Sequence, residues 1–134
     1  MTKKIIMVMA AATVIIILYL LTYIPHKIIT IEATDVAKIE IFDGALGKKI
    51  NIEGKNEIQH IIENLNSISF YKGKCSIGYM GYRFLITIYD NDGGKYKKFI
   101  VNSEDTIRYN GFFYKDKESG IDYNYLNELV KKAK

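Results

Sequence analysis

The pattern of apolar and polar positions divides the chain into a long uncharged run and a polar remainder. Residues 5–24 contain no charged side chain. A helix of twenty residues spans ~30 Å, the thickness of the hydrocarbon core of a bilayer. Pro25 follows and ends or kinks a helix. We therefore predict a transmembrane anchor over residues 1–25, in contact with the lipid bilayer through residues 5–24.

The flanks of this run predict its orientation. Lys3 and Lys4 precede it, and basic residues favour the cytoplasmic side, although His26 and Lys27 weakly oppose this assignment. No pair of small residues follows the run, so the sequence favours an uncleaved anchor over a removed signal peptide. We expect a single-pass protein of the cell membrane, with residues 26–134 forming one extracytoplasmic domain.

Alternation of apolar and polar residues predicts most of that domain to be β-structure. Glycine-containing turns separate the alternating segments, and Asn110 with Gly111 is the strongest hairpin signal. The segment at 82–89 carries bulky side chains on both faces, so we expect it to be central in the sheet. The predicted strands are 28–42 (one bent strand or two short ones), 48–53, 67–71, 82–89, 95–102, 106–109 and 112–115.

Two segments have the spacing of amphipathic helices instead. Residues 56–66 place four apolar side chains at helical spacing, with Asn56 as the predicted N-cap. Residues 122–133 repeat the pattern, with Asp122 as the cap. The predicted order is β-β-α-β-β-β-β-β-α, an α+β fold in which an antiparallel sheet carries both helices on one face.

Residues 71–81 are the longest segment without a clear period, and they contain three glycines. We interpret them as a loop, and long loops often carry function. Tyrosine combines apolar area with a polar tip and suits interfaces. We therefore predict Tyr71, Tyr79 and Tyr82 to form an interaction surface. The alternative is that tyrosine replaces phenylalanine in a partly wet sheet.

Composition and charge restrict the classes of partner. The chain carries a net charge of +4. Of its 19 basic residues two precede the anchor, whereas all 15 acidic residues follow it, so the domain is close to neutral. This balance argues against nucleic acid as a partner. A single cysteine excludes an internal disulfide.

The sequence contains no strong catalytic or metal-binding signature. The segment that begins at Asp90 lacks the later ligand positions of a calcium loop, so we interpret it as a turn. His60 has no second histidine nearby to share a metal. Cys75 follows Lys72 and Lys74, which could lower its pKa, yet no base is evident. We predict no catalytic residue, cofactor or metal.

The arrangement resembles small proteins of Gram-positive bacteria that carry one membrane anchor and an extracytoplasmic α+β domain. The features that carry the resemblance are the anchor, the Ile39-Glu40-Ile41 and Ile50-Asn51-Ile52 pair before a helix, and the run from Gly81 to Asp90 before a glycine turn. The resemblance implies no activity. The leading hypothesis is a non-enzymatic binding domain with an envelope protein as partner. The alternatives are an envelope enzyme that uses Cys75 or carboxylates, and a small structural subunit of a membrane complex.

Overall fold

The computed structural model describes residues 2–133. Helix α1, Lys3–Leu21, contains 19 residues, and none of them is buried against the rest of the chain. It is long and apolar enough to cross a membrane. No side chain of α1 belongs to the hydrophobic core of the described residues.

The remaining residues form a seven-stranded antiparallel sheet and two helices, which confirms the predicted α+β fold. The sheet order is β2-β1-β4-β5-β6-β7-β3. The strands are β1 (Val36–Asp43), β2 (Lys48–Ile52), β3 (Tyr71–Cys75), β4 (Phe84–Asp90), β5 (Lys95–Val101), β6 (Thr106–Tyr109) and β7 (Phe112–Lys115), and the helices are α2 (Lys55–Asn66) and α3 (Tyr123–Lys132).

One face of this sheet forms the hydrophobic core together with the helices. Ile39 of β1 pairs with Ile52 of β2 and with Ile88 of β4, so the three side chains project to the same face. Both helices cover that face and contribute to the same buried cluster. Their contributions are Ile58, Ile61, Ile62, Leu65, Leu126 and Val130.

The predicted strand over 28–42 is wrong in its first half. The ladder begins only at Val36, after a 3₁₀ turn over Ala33–Asp35. Ile28 and Ile29 are both buried, which a half-buried strand does not allow for consecutive residues. Their backbone bonds to side chains instead, since the Ile28 carbonyl accepts from Lys97. This segment therefore packs beneath the sheet without joining it.

The predicted strand over 67–71 and loop over 71–81 are also corrected. The strand is Tyr71–Cys75, and before it only Phe70 makes a β-bridge, to His26. The sequence did not indicate a strand over 71–75. An edge strand need not alternate apolar and polar residues, and the second half of this one is exposed. The irregular part of the chain shrinks to residues 76–83.

The helix starts differ in how well the sequence indicated them. Helix α2 begins at Lys55 after Gly54, so Asn56 lies inside the helix and is not its cap. Helix α3 begins after Asp122, whose side chain accepts a hydrogen bond from the Tyr125 backbone, as predicted. The carboxylate at α3 thus satisfies one amide that would otherwise lack a partner.

The domain contacts the end of α1 through β3. The antiparallel bridge between His26 and Phe70 brings the chain that follows α1 alongside the edge strand. The Lys72 Nζ lies 3.3 Å from the Thr22 hydroxyl and 5.1 Å from the centre of the Tyr23 ring. A lysine over aromatic rings is a favourable arrangement. These contacts hold the β3 edge against the end of α1.

Candidate binding face

The second face of the sheet is covered by no helix among the described residues, and we call it the open face. Register with the core positions assigns its strand side chains by alternation. Its central row contains Leu85, Ile100, Arg108 and Phe113, which are neighbours across β4, β5, β6 and β7. Its charges are mostly positive. The basic side chains include Lys38, Lys49, Lys74, Lys98, Arg108 and Lys115. Two of these are paired with carboxylates, Lys49 with Glu40 and Lys115 with Asp105.

Residues 76–82, which we call the crossing loop, lie over this face between β3 and β4. The Ser76 amide donates to the Gly111 carbonyl at 2.8 Å and fixes the start of the loop. Arg108 then donates to the Tyr79 carbonyl at 2.9 Å and to the Gly81 carbonyl. The loop therefore has a defined path, held by a side chain of the sheet beneath it.

The crossing loop exposes apolar side chains although its backbone is held. Ile77 is 80% exposed and Met80 is 96% exposed. Gly78 and Gly81 adopt positive φ angles of 86° and 84°, a conformation that other residues rarely tolerate. These two glycines turn the chain on either side of Tyr79 and Met80. The loop thus presents its apolar groups outward instead of folding them under.

The three tyrosines predicted as an interaction surface occupy different positions. Tyr79 lies on the open face, edge-on to Phe113 with ring centres 5.1 Å apart, and its hydroxyl accepts from Lys74 at 2.9 Å. Tyr82 ends the crossing loop, with its ring centre 6.1 Å from that of Phe42. Tyr71 is half-buried on β3, with the Lys117 ammonium 4.1 Å from its ring centre.

Tyr79 and Tyr82 are therefore joined by one exposed loop, whereas Tyr71 lies apart on the edge strand. Sequence reasoning missed Arg108 and Phe113, which hold that loop in place. A signal for Arg108 existed in the alternation of β6, since a buried Ile107 places the next residue on the opposite face. The buried Tyr114 does the same for Phe113 in β7. The partnership of Arg108 with the loop carbonyls had no sequence signal.

A shallow cavity, widely open to solvent, lies on the open face beside the crossing loop. Its volume is about 250 Å³, and its lining includes Ser76, Leu85, Lys98, Ile100 and Arg108. Two of these side chains are cationic and two are aliphatic. The cavity can therefore accept a small ligand that combines negative charge with apolar surface.

A larger cleft lies on the other side of the molecule, between the 3₁₀ turn and the first half of α2. Its volume is about 720 Å³. Glu32, Glu53 and Glu63 contribute to its lining, with Lys55 and the apolar Ile58. All of its charged side chains are exposed, so solvent screens them.

The groups considered for catalysis do not form one centre. Cys75 is exposed on the edge strand opposite Phe112. His60 instead meets Asp122, with its Nε2 2.8 Å from the carboxylate, and stacks on Tyr125 at 3.8 Å between ring centres. Burial, helped by the Glu57 and Asp122 carboxylates, raises the pKa of the Tyr125 hydroxyl.

The contact between His60 of α2 and Asp122 connects α2 to the start of α3. Asn64 of α2 strengthens the same connection, donating to the Gly120 carbonyl and accepting from the Asp122 amide. These bonds fasten the start of α3 to α2. Residues 2–133 contain no group of three or more histidine, cysteine or acidic side chains placed to hold a metal ion.

No protein-family model, curated protein or solved structure matches this chain.

Proposed function

We propose that the chain is a single-pass membrane protein whose extracytoplasmic domain binds a partner in the cell envelope without catalysing a reaction. The anchor lies in lipid through residues 5–24, with the amino terminus in the cytoplasm. The open face and the crossing loop form the contact surface, in which Tyr79 and Tyr82 take part and Tyr71 lies at the edge. Nucleic acid is not the partner.

The features of α1 support the anchoring part of the proposal. The helix carries no charge from Ile5 to its end and has no buried residue. Removing such a helix from lipid would expose its side chains to water at a cost of ~25 cal/mol per Å² of apolar area. Lys72 and its aromatic partners keep the domain close to the end of the anchor, which limits how far the domain can reach.

The observation that carries the binding proposal is the apolar exposure of the crossing loop. Among the described residues after the anchor, the exposed large apolar side chains are Leu46, Ile77, Tyr79, Met80 and Tyr82, and four of these five lie in the crossing loop. Exposed apolar groups clustered in this way are typical of interaction sites. Arg108 fixes the loop before binding, which reduces the ordering cost of association.

The single cysteine provides a direct test of the placement. Cys75 is exposed, so a membrane-impermeant maleimide applied to intact cells is expected to label the full chain, and Cys75→Ser to abolish labelling. Labelling only after the membrane is opened would contradict the extracytoplasmic assignment.

Carbonate washing of membranes tests the anchor and is expected to retain the protein. The double variant Val14→Lys, Ile16→Lys is expected to be released, since each lysine at a helix centre costs ~3 kcal/mol on insertion.

The contact surface is tested by crosslinking in native membranes. A benzophenone amino acid in place of Met80 is expected to give a discrete adduct with an envelope protein, which is then identified. The matched control replaces Glu128, an exposed residue of α3 on the helix layer. Tyr79→Ala and Tyr82→Ala are expected to weaken the adduct without altering the melting temperature. Adducts of equal yield at positions 80 and 128 would contradict the proposed surface.

A further inference from the structure

We propose that the cavity beside the crossing loop is a carboxylate-binding site, in which Arg108 and Lys98 receive an acidic group of the partner. The inference rests on the proposed function, since it specifies the chemistry of what the open face binds. It requires only the cavity, its two cations and the hydrogen bonds of Arg108. No acidic side chain forms an ion pair with either cation in residues 2–133.

Arg108 carries the first part of the argument. Its residue surface is only 9% exposed, and its Nε has no hydrogen-bond partner. The two terminal nitrogens each donate one hydrogen bond, to the carbonyls of Tyr79 and Gly81, which uses two of the five N–H groups and does not neutralise the charge. A buried cation without a counter-charge is costly. An anion in the adjoining cavity would supply that counter-charge.

The other arginine of the chain provides the contrast. Arg83 also buries an Nε without a partner. However, its Nη2 lies 3.0 Å from the Asp43 carboxylate and 2.8 Å from the Asn127 side-chain oxygen. The charge of Arg83 is therefore matched within the chain, whereas the charge of Arg108 is matched by no ion pair in the described residues. Only Arg108 is left with a charge that a ligand can balance.

Lys98 supplies the accessible charge. It is exposed and lines the cavity, and its ammonium group forms no hydrogen bond or ion pair among residues 2–133. Ser76 adds a hydroxyl from the start of the crossing loop. Leu85 and Ile100 provide aliphatic walls between these polar groups. The site thus offers charge to a head group and apolar contact to a short chain behind it.

This chemistry favours a carboxylate over a phosphate. A phosphate group brings more charge and three oxygens, and it is best held by several donors. Here one lysine, one guanidinium with two nitrogens already committed and one hydroxyl are present. The volume of about 250 Å³ suits the side chain of a glutamate or a short free carboxylic acid. Both sources present the same group, so the experiment separates them.

The test follows backbone and arginine side-chain NMR signals of the full-length protein in phosphatidylcholine nanodiscs. One arm adds glutarate, and a second adds a short peptide with glutamate flanked by leucine. Saturable shifts at Leu85, Lys98 and Arg108 in either arm are expected. A response to both identifies the carboxylate as the recognised group, and tighter binding of the peptide assigns the source to a protein segment.

Charge-matched variants distinguish a built site from general attraction. Lys98→Gln is expected to weaken binding about fivefold or more. Lys38→Gln removes an equal charge from the same face, where that lysine lies over Tyr89, and is expected to leave binding unchanged. Equal weakening by both variants, the absence of saturable shifts, or tighter binding of inorganic phosphate would each overturn the proposal.

These outcomes are separate from those of the proposed function. Glutarate binding does not depend on any envelope partner or on crosslinking at position 80. If crosslinking fails while glutarate binds at the cavity, the carboxylate site remains and the protein-partner hypothesis is lost. If crosslinking succeeds and neither glutarate nor the glutamate peptide binds, the contact surface remains and the carboxylate site is lost.

Discussion

The two faces of the sheet are built from the same strands but carry different side chains. The covered face is almost entirely aliphatic and aromatic, and it packs against α2 and α3. The open face carries lysine, arginine and half-buried apolar groups, and the crossing loop lies over part of it. Because successive strand residues alternate between faces, one set of positions provides stability and the other is free to bind. The difference predicts that neighbouring residues will respond very differently to substitution.

The largest expected effect compares two adjacent residues of β5. Phe99 is 2% exposed on the covered face, whereas Ile100 is half-buried on the open face. Phe99→Ala is expected to lower the free energy of unfolding by about 3 to 5 kcal/mol. Ile100→Ala is expected to cost less than about 1 kcal/mol. Denaturant unfolding of the full chain in detergent measures both. Similar losses for the two variants would remove the functional distinction between the faces.

The next effect compares two ion pairs of β1, the Asp43–Arg83 pair and the Glu40–Lys49 pair. Asp43 is fully buried, pairs with Arg83, and accepts bonds from the Ala45 and Leu46 amides. Asp43→Ala leaves a partly buried arginine unpaired and is expected to cost about 3 kcal/mol. Glu40→Ala breaks a more exposed pair with Lys49 and is expected to cost below about 1 kcal/mol. Thermal unfolding compares the two, and a larger loss for the Glu40 variant would contradict this ranking.

A smaller effect tests how the helix layer is fastened. Asp122 caps α3 and also meets His60 of α2. Asp122→Ala removes both contacts and is expected to cost about 1 to 2 kcal/mol. Asp122→Asn retains a good cap but loses the charge, so it is expected to recover most of that loss. If the asparagine variant is as unstable as the alanine variant, the link to His60 contributes more than the cap.

The sequence was most informative where local patterns decide the structure. Alternation identified β4 and β5, the Asn110 and Gly111 turn identified the β6–β7 hairpin, and Asp122 indicated the start of α3. Each of these features depends on residues close together in the chain. The uncharged run over 5–24 likewise indicated α1 without reference to any other segment.

The misplaced cap of α2 is a local error of two residues, whereas the failures in the sheet and at the binding face involve partners distant in the chain. Residues 28–31 look like a strand, but their backbone bonds to Lys97 and Tyr96 some 66 to 69 residues away. Strand β3 forms because β7 offers a free edge, which its own composition does not reveal. The role of Arg108 depends on two carbonyls of the crossing loop, 27 and 29 positions earlier. No local pattern encodes such contacts.

The smallest expected effect is on the pH dependence of stability, through Asp105, which pairs with Lys115 of the open face. Asp105 accepts from the hydroxyls of Thr106 and Ser103, at 2.7 and 2.8 Å, and these bonds hold the pKa of its carboxyl below the ordinary value. The Lys115 ammonium, 3.5 Å from the Asp105 carboxylate, lowers this pKa further. A lowered folded pKa stabilises the protein above the unfolded value of about 3.9, and that stabilisation is lost as the pH falls through the folded value.

Asp105→Asn is therefore expected to reduce the loss of stability between pH 7 and pH 3 by less than about 1 kcal/mol. Asp92→Asn, in the exposed turn between β4 and β5, is the matched control and is expected to leave the pH dependence unchanged. Chemical unfolding at the two pH values measures the difference. The Asp105 variant also frees Lys115 and makes the open face more basic, so it is expected to bind acidic peptide slightly more tightly. Weaker binding would show that the open face does not act through its positive charge.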